Sequence, residues 1–199
     1  MLEHINFTST CGYLFHLDLS RNNIQLLNYR SFLLCLMLHH LDVSWNKLTL
    51  LVRDTFFKLK KLTYLNLAGN KLPGLLPYSF QGSNSLLYLN VSNNSIEYMK
   101  SYCFAGSEKL CILDISYNQI NLIDSKSLHS LDKIRLLCFI GNRQCYVKVV
   151  DYSSMIPPAK VYTSTNELCC SSLWKSKCTH LSNQPLGCSR IIPNIILRV

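Results

Sequence analysis

The stretch Leu62-Thr63-Tyr64-Leu65-Asn66-Leu67-Ala68-Gly69-Asn70-Lys71-Leu72 decides the fold. Leu65 and Leu67 flank Asn66, an alternation that turns one face of a short strand inward. Asn70 follows where the chain must bend. Its amide carries donors and an acceptor, so it can satisfy backbone groups left unpaired in the turn and in the next coil. The same phrase, Leu-x-x-Leu-x-Leu-x-x-Asn-x-Leu, recurs every 24 residues. Its asparagines are Asn22, Asn46, Asn70, Asn94, Asn118 and Asn142, without a slip. The last copy, Ile134, Leu137, Phe139, Asn142, loses its final apolar member.

Two further columns keep the same interval. Leu27, Leu51, Leu75, Met99 and Ile123 form one; Phe32, Phe56, Phe80, Phe104 and Leu128 form the other and should fill the convex side. No single coil of this length can bury its own apolar face, and stacked neighbours make one continuous core. The pattern is that of a leucine-rich repeat array. It predicts an α/β solenoid with a curved parallel sheet of about six short strands, an irregular or helical convex side and a Cys-rich C-terminal cap. Six strands about 4.8 Å apart span roughly 25–30 Å, enough for a small protein's face. Such a solenoid presents a surface, so binding is the first functional expectation.

The boundaries follow. Residues 1–13 form a truncated N-terminal flank, 14–145 the six repeats, 146–190 a Cys-rich hinge or cap, and 191–199 an apolar run that starts a transmembrane helix. That run is shorter than the roughly 20 residues a span needs and would supply only its first turns. No basic and then apolar signal sequence follows Met1.

The chain is 48% hydrophobic and 16% charged, and its 20 basic against 11 acidic residues leave +9. A charge of that sign favours acidic partners or an anionic membrane surface. Nucleic acid is not expected as a partner, because Lys and Arg are scattered and not gathered on one strand column. No Gly-rich phosphate loop, His-Glu-x-x-His or nucleophile elbow is present, so an enzyme is not expected, and no cofactor or metal with it.

Ten cysteines are many for a reducing compartment. Cys35 takes the apolar place held by Leu59 and Leu131 and reads as a small buried hydrophobe; Cys11 could belong to an N-terminal cap. Cys145, Cys169, Cys170, Cys178 and Cys188 crowd the region after the repeats and fit a disulfide-stapled cap. Zinc on Cys169, Cys170, Cys178 and His180 is the rival, disfavoured because adjacent cysteines lack the usual ligand spacing. Glycosylation sequons begin at Asn6, Asn90 and Asn93 and point to the same oxidising compartment.

On the concave side the columns read Asp18, Asp42, Asn66, Asn90, Asp114, Cys138 and His16, His40, Tyr64, Tyr88, Ile112, Leu136. An acidic column beside rings suits a basic ligand, with Trp45 and Tyr117 as flanking anchors. The candidate ligand-binding residues are therefore His16, Asp18, His40, Asp42, Trp45, Tyr64, Tyr88, Asp114 and Tyr117, with the carboxylates facing water. In the competing reading, Asp in Leu-Asp-Leu-Ser only stabilises its neighbours.

The tail is more discriminating than the repeats. It reads Val161-Tyr-Thr-Ser-Thr-Asn-Glu-Leu-Cys-Cys170 and closes Cys188-Ser-Arg-Ile-Ile-Pro-Asn-Ile-Ile-Leu-Arg-Val199. Repeats, an adjacent Cys pair, and a Cys shortly before Asn194, Leu197, Arg198 and Val199 resemble the hinge of leucine-rich repeat-containing G-protein-coupled receptors, relatives of glycoprotein hormone and relaxin receptors, nearest to the invertebrate type. The resemblance implies a peptide or protein ligand on the concave sheet, a plasma-membrane location with the repeats outside, and a G protein acting through a seven-helix domain. It also implies a bond from Cys169 or Cys170 to Cys178 or Cys188. The alternative is a secreted or single-span repeat protein for adhesion or pattern recognition.

Overall fold

The computed structural model describes residues 11–124, 126–139 and 141–142, together with the strand backbones of 160–163 and 178–180. The repeat phrase becomes one strand per coil. These strands are β1 (His16–Asp18), β2 (His40–Asp42), β3 (Tyr64–Asn66), β5 (Tyr88–Asn90), β7 (Ile112–Asp114) and β9 (Leu136–Cys138). They pair in parallel and in strict register, so that Leu17, Leu41, Leu65, Leu89, Leu113 and Leu137 align. A smaller parallel sheet joins β4 (Gly74–Leu75), β6 (Tyr98–Met99) and β8 (Leu122–Ile123). A bridge between Leu27 and Leu51 continues the same column toward the N-terminus.

The main sheet goes beyond the six strands expected. Two more, β10 (Lys160–Thr163) and β11 (Cys178–His180), extend it to eight. Lys160 pairs with Leu136, so β10 arrives on the 24-residue interval although residues 143–160 show no clean repeat. The strand phase outlasts the leucines that announce it.

The asparagines behave as their chemistry predicts. Asn70 donates from Nδ2 to Leu67 O and Ala68 O in its own coil and to Val43 O in the preceding one. Its Oδ1 accepts the Leu48 N–H of that preceding coil. Asn46, Asn94 and Asn118 repeat this set, each tying a turn to its neighbour. Leaving such buried backbone groups unpaired costs about 1–3 kcal/mol each. On the convex side the fully buried Phe32, Phe56, Phe80 and Phe104 stack with centroids 6.4, 6.3 and 5.6 Å apart. Among the described residues the convex side holds one helical element, a 3-10 turn over Tyr29–Phe32 capped by Asn28.

The residue before each ladder asparagine is left-handed: Arg21, Trp45, Gly69, Asn93, Tyr117 and Gly141 have φ of 55, 55, 67, 53, 52 and 72°. Bulk and glycine are complementary here. The Trp45 ring lies where a β-carbon at Gly69 would stand, and Tyr117 does the same over Gly141.

Cys35 is buried as expected, but it is not a free hydrophobe. It is bonded to Cys11, which ties the first described residue to the coil above it. Cys138 is likewise disulfide-bonded, whereas Cys103 is a buried free thiol. Cys145, Cys169, Cys170 and Cys188 lie outside the described residues, as do Asn6 and the 191–199 run; Cys178 is described only through the backbone of β11.

Candidate ligand-binding surface

Because side chains alternate along each strand, the residues flanking the inward leucines share the concave face. The ring column is a continuous row, tilted at its first pair and stacked from His40 on. His16 and His40 stand 5.4 Å apart, His40 and Tyr64 3.9 Å at 7° between planes, and Tyr64 and Tyr88 4.5 Å at 15°. Phe15 and His39, one place earlier in each coil, add a second stacked pair at 5.3 Å. Register predicts the first row; the Phe15–His39 pair keeps the same 24-residue interval without belonging to the candidate residues.

Each member of the carboxylate and amide column caps its own turn. Oδ1 of Asp18, Asp42, Asn66, Asn90 and Asp114 accepts the backbone N–H two residues on, at 2.8–3.1 Å. This is the Asx turn, which either Asp or Asn can make. The Asp residues therefore have the structural task that the competing reading gave them. Asp42 retains a second oxygen, which accepts Asn66 Nδ2 at 2.9 Å. Asn66 is the polar neighbour that sequence reasoning left off the candidate surface.

The face is not uniform. Asp18 and His16 are exposed, and His40, Asp42, Tyr64 and Asn66 half-buried. From β5 onward the same columns are enclosed: Tyr88 is 4% and Asp114 2% exposed. There Tyr88, Ile112, Leu136 and Cys138 form an apolar cluster of their own. The expectation that the whole carboxylate column and Tyr88 project into water is thus corrected. Asp114, in register between Asn90 and Cys138, is enclosed beside that apolar cluster.

Titration follows the same gradient. Hydrogen bonds from Ser20 hold the Asp18 carboxyl below the usual range. Burial pushes the Asp114 carboxyl up despite its Ser116 hydrogen bonds. Burial, then the charge of His16, lowers the His40 imidazole. Burial pushes the Tyr64 phenol up to about 12 and raises Tyr88 as well.

Trp45 and Tyr117, at 56% and 48% exposure, stand on the left-handed turn column beside the sheet. Of the two sequons within the described residues, Asn93 is exposed on that column, whereas Asn90 is enclosed with Oδ1 engaged by Ser92. No group of three His, Cys, Asp or Glu among the described residues could hold a metal ion. No helix there is long and apolar enough to cross a membrane.

A parallel sheet of one short strand per 24-residue coil, closed by an asparagine ladder, defines a leucine-rich repeat solenoid. The leucine-rich repeat family profile matches residues 37–96 and 88–143, and the chain belongs to that family. No curated protein matches it. Among solved structures, the crystal structure of a TLR13–ssRNA13 complex is similar, with a TM-score of 0.60 at 25% identity. The match covers 75% of this chain and 23% of that one, so this chain spans less than a quarter of its relative. A neighbour solved with single-stranded RNA gives no support to the exclusion of nucleic acid drawn from scattered Lys and Arg.

Proposed function

We propose that this chain is the ligand-recognition region of an extracellular leucine-rich repeat receptor, binding a basic segment of a peptide or protein on the open half of the concave sheet. The observation that carries this is the juxtaposition of the His16–His40–Tyr64 ring row with the Asp18 and Asp42 carboxylates. A guanidinium or ammonium group gains from the ring face and from the carboxylate at once. Trp45 flanks the open half; Tyr88 and Asp114 support it from the enclosed half. The Cys11–Cys35 disulfide fits an oxidising compartment.

Within that class the finer reading is a G-protein-coupled receptor ectodomain at the plasma membrane, with the ligand signal passed through the hinge toward a G protein. It rests on the tail run Asn194, Leu197, Arg198, Val199 after Cys188. The second reading, a single-span or secreted pattern-recognition protein, is favoured by the likeness to the TLR13–ssRNA13 complex. Seven apolar spans encoded downstream of Val199 would support the first, and one or none the second.

Panning a random displayed peptide library against the chain tests recognition itself. Recovered peptides should be rich in Arg and Lys, and should bind Tyr64→Ala at least tenfold more weakly than wild type. Recovery of acidic or purely apolar peptides indifferent to Tyr64 would refute it. Tighter binding of a single-stranded RNA in the same competition would shift the ligand class.

A further inference from the structure

On the convex side, away from the proposed ligand surface, a second ring row runs across four coils. Arg53 lies 5.2 Å over the Tyr78 ring, and Tyr78 stacks on Tyr102 at 6.4 Å and 8°. Lys126 lies 5.8 Å over Tyr102, and His129 meets the same ring edge-on at 6.4 Å. Arg53 is held in place by Nε donating to Gln81 Oε1 at 3.0 Å. Next to Gln81, Gly82 abuts Phe57, whose ring carries Lys60 at 4.2 Å. Arg53, Tyr78, Lys126, His129 and Lys60 are all exposed.

Three features set this row apart from ordinary surface charge. First, Arg53 and Lys126 rest on rings, which carry no net charge, and the acidic member of the row is Asp54, one coil before Tyr78. Second, the row is regular. Arg53 to Lys126 crosses three coil steps, roughly 14 Å at the usual strand spacing. Third, Tyr78 and Tyr102 adopt φ of 64° and 60°, where aromatic residues are rare, and the preceding coil has Asp54 at 65° in the same place. The bend belongs to the repeat; tyrosine is a costly residue to put there when Asn, Asp or Gly would serve.

We propose that this convex row binds a sulfated glycosaminoglycan. The ligand must be a polyanion, because the row presents fixed cations in a chain of formal charge +9. The stacked tyrosines turn their faces to each other and to Arg53 and Lys126, so those faces are already covered. That arrangement offers cations, which suits sulfates and carboxylates along a polysaccharide. It lacks the open ring faces on which unpaired bases stack. The Cys11–Cys35 disulfide fits an oxidising compartment, where such polysaccharides line cell surfaces.

The test is heparin binding by the full chain at moderate salt, read by calorimetry or surface resonance. The double variant Arg53→Gln, Lys126→Gln should bind at least tenfold more weakly with an unchanged melting curve, since both side chains are exposed. The control Lys47→Gln, Lys71→Gln removes the same charge at two exposed positions following the ladder asparagines and should change affinity less than threefold. Tyr78→Leu should weaken binding by loosening Arg53 while leaving net charge intact. Equal losses in the two double variants would reduce the effect to net charge and overturn the proposal. So would single-stranded RNA or anionic phosphatidylserine vesicles outcompeting heparin at this row.

Discussion

Asp18 and Asp114 occupy the same column of the concave sheet, and each accepts the backbone N–H two residues on. They differ in everything else. Asp18 is exposed at the edge strand, where its turn hydrogen bonds hold the carboxyl low. Asp114 is 2% exposed, in register between Asn90 and Cys138 and beside the apolar Tyr88–Ile112–Leu136 row, and burial raises it. One repeat phrase has thus produced an open, charged, ring-lined half and an enclosed half that resembles a second small core. The carboxylate's local task is set by its coil; its availability to a ligand is set by what stands in the neighbouring columns.

Charge reversal breaks this comparison most sharply. Asp114→Lys places an unpaired cation where the chain is enclosed and should cost on the order of 4 kcal/mol. Asp18→Lys should cost less than about 1 kcal/mol. Urea denaturation of both variants checks this, and equal losses would erase the distinction between the halves.

Next in size is the disulfide that secures the open half. Replacing Cys11 and Cys35 together with Ser removes a cross-link of sequence separation 24. The expected loss is about 3.5 kcal/mol, by the loop-entropy relation. Proteolysis should then begin near β1 and spare β5 to β9. Uniform cleavage along the chain would argue against a locally anchored edge.

The smallest effects come from pH. His40 is lowered in the folded state, so its contribution is present above the ordinary imidazole value of 6.5 and lost as pH falls below it. Asp114 is raised, so its contribution has the opposite sense: fully present below 3.8 and lost as pH rises through its folded value. Melting curves from pH 7.5 to 5.5 should therefore show a small acid-side loss that His40→Gln removes. Asp114→Asn should raise the melting temperature most at neutral pH. An acid-side loss unchanged in His40→Gln would assign it to other groups.

Much of this architecture is legible from residues alone. A period of 24 residues fixes the register, and register fixes which side chains share a face; the Asn ladder, the Phe spine and the ring column all follow. The sequence also left open that the Asp column only stabilises its neighbours; the Asx turn through which it does so is seen in the structure. Other features escaped. Cys11 and Cys35 are one period apart, but an apolar position explained Cys35 without a partner. Strand β10 keeps the interval without its leucines. The enclosure of Asp114 depends on contacts between columns, which periodicity does not rank. The convex tyrosine row was hidden for a related reason: Arg53, Tyr78 and Lys126 are different residue types at nearly equivalent places, so no repeated letter marks them.

The open half offers an unusually clean measurement, because the chain itself uses Asn66 and Asn90 to make the same turn cap that Asp18 and Asp42 make. The double substitution Asp18→Asn, Asp42→Asn therefore keeps the caps and removes the charges, together with the one bond that Asn66 Nδ2 donates to Asp42 Oδ2. A library-derived basic peptide should bind this variant at least tenfold more weakly, with the difference fading at high salt and the melting temperature within a degree or two of wild type. Unaltered affinity at low salt, with the fold intact, would confine these carboxylates to their turns and contradict a basic ligand on this face.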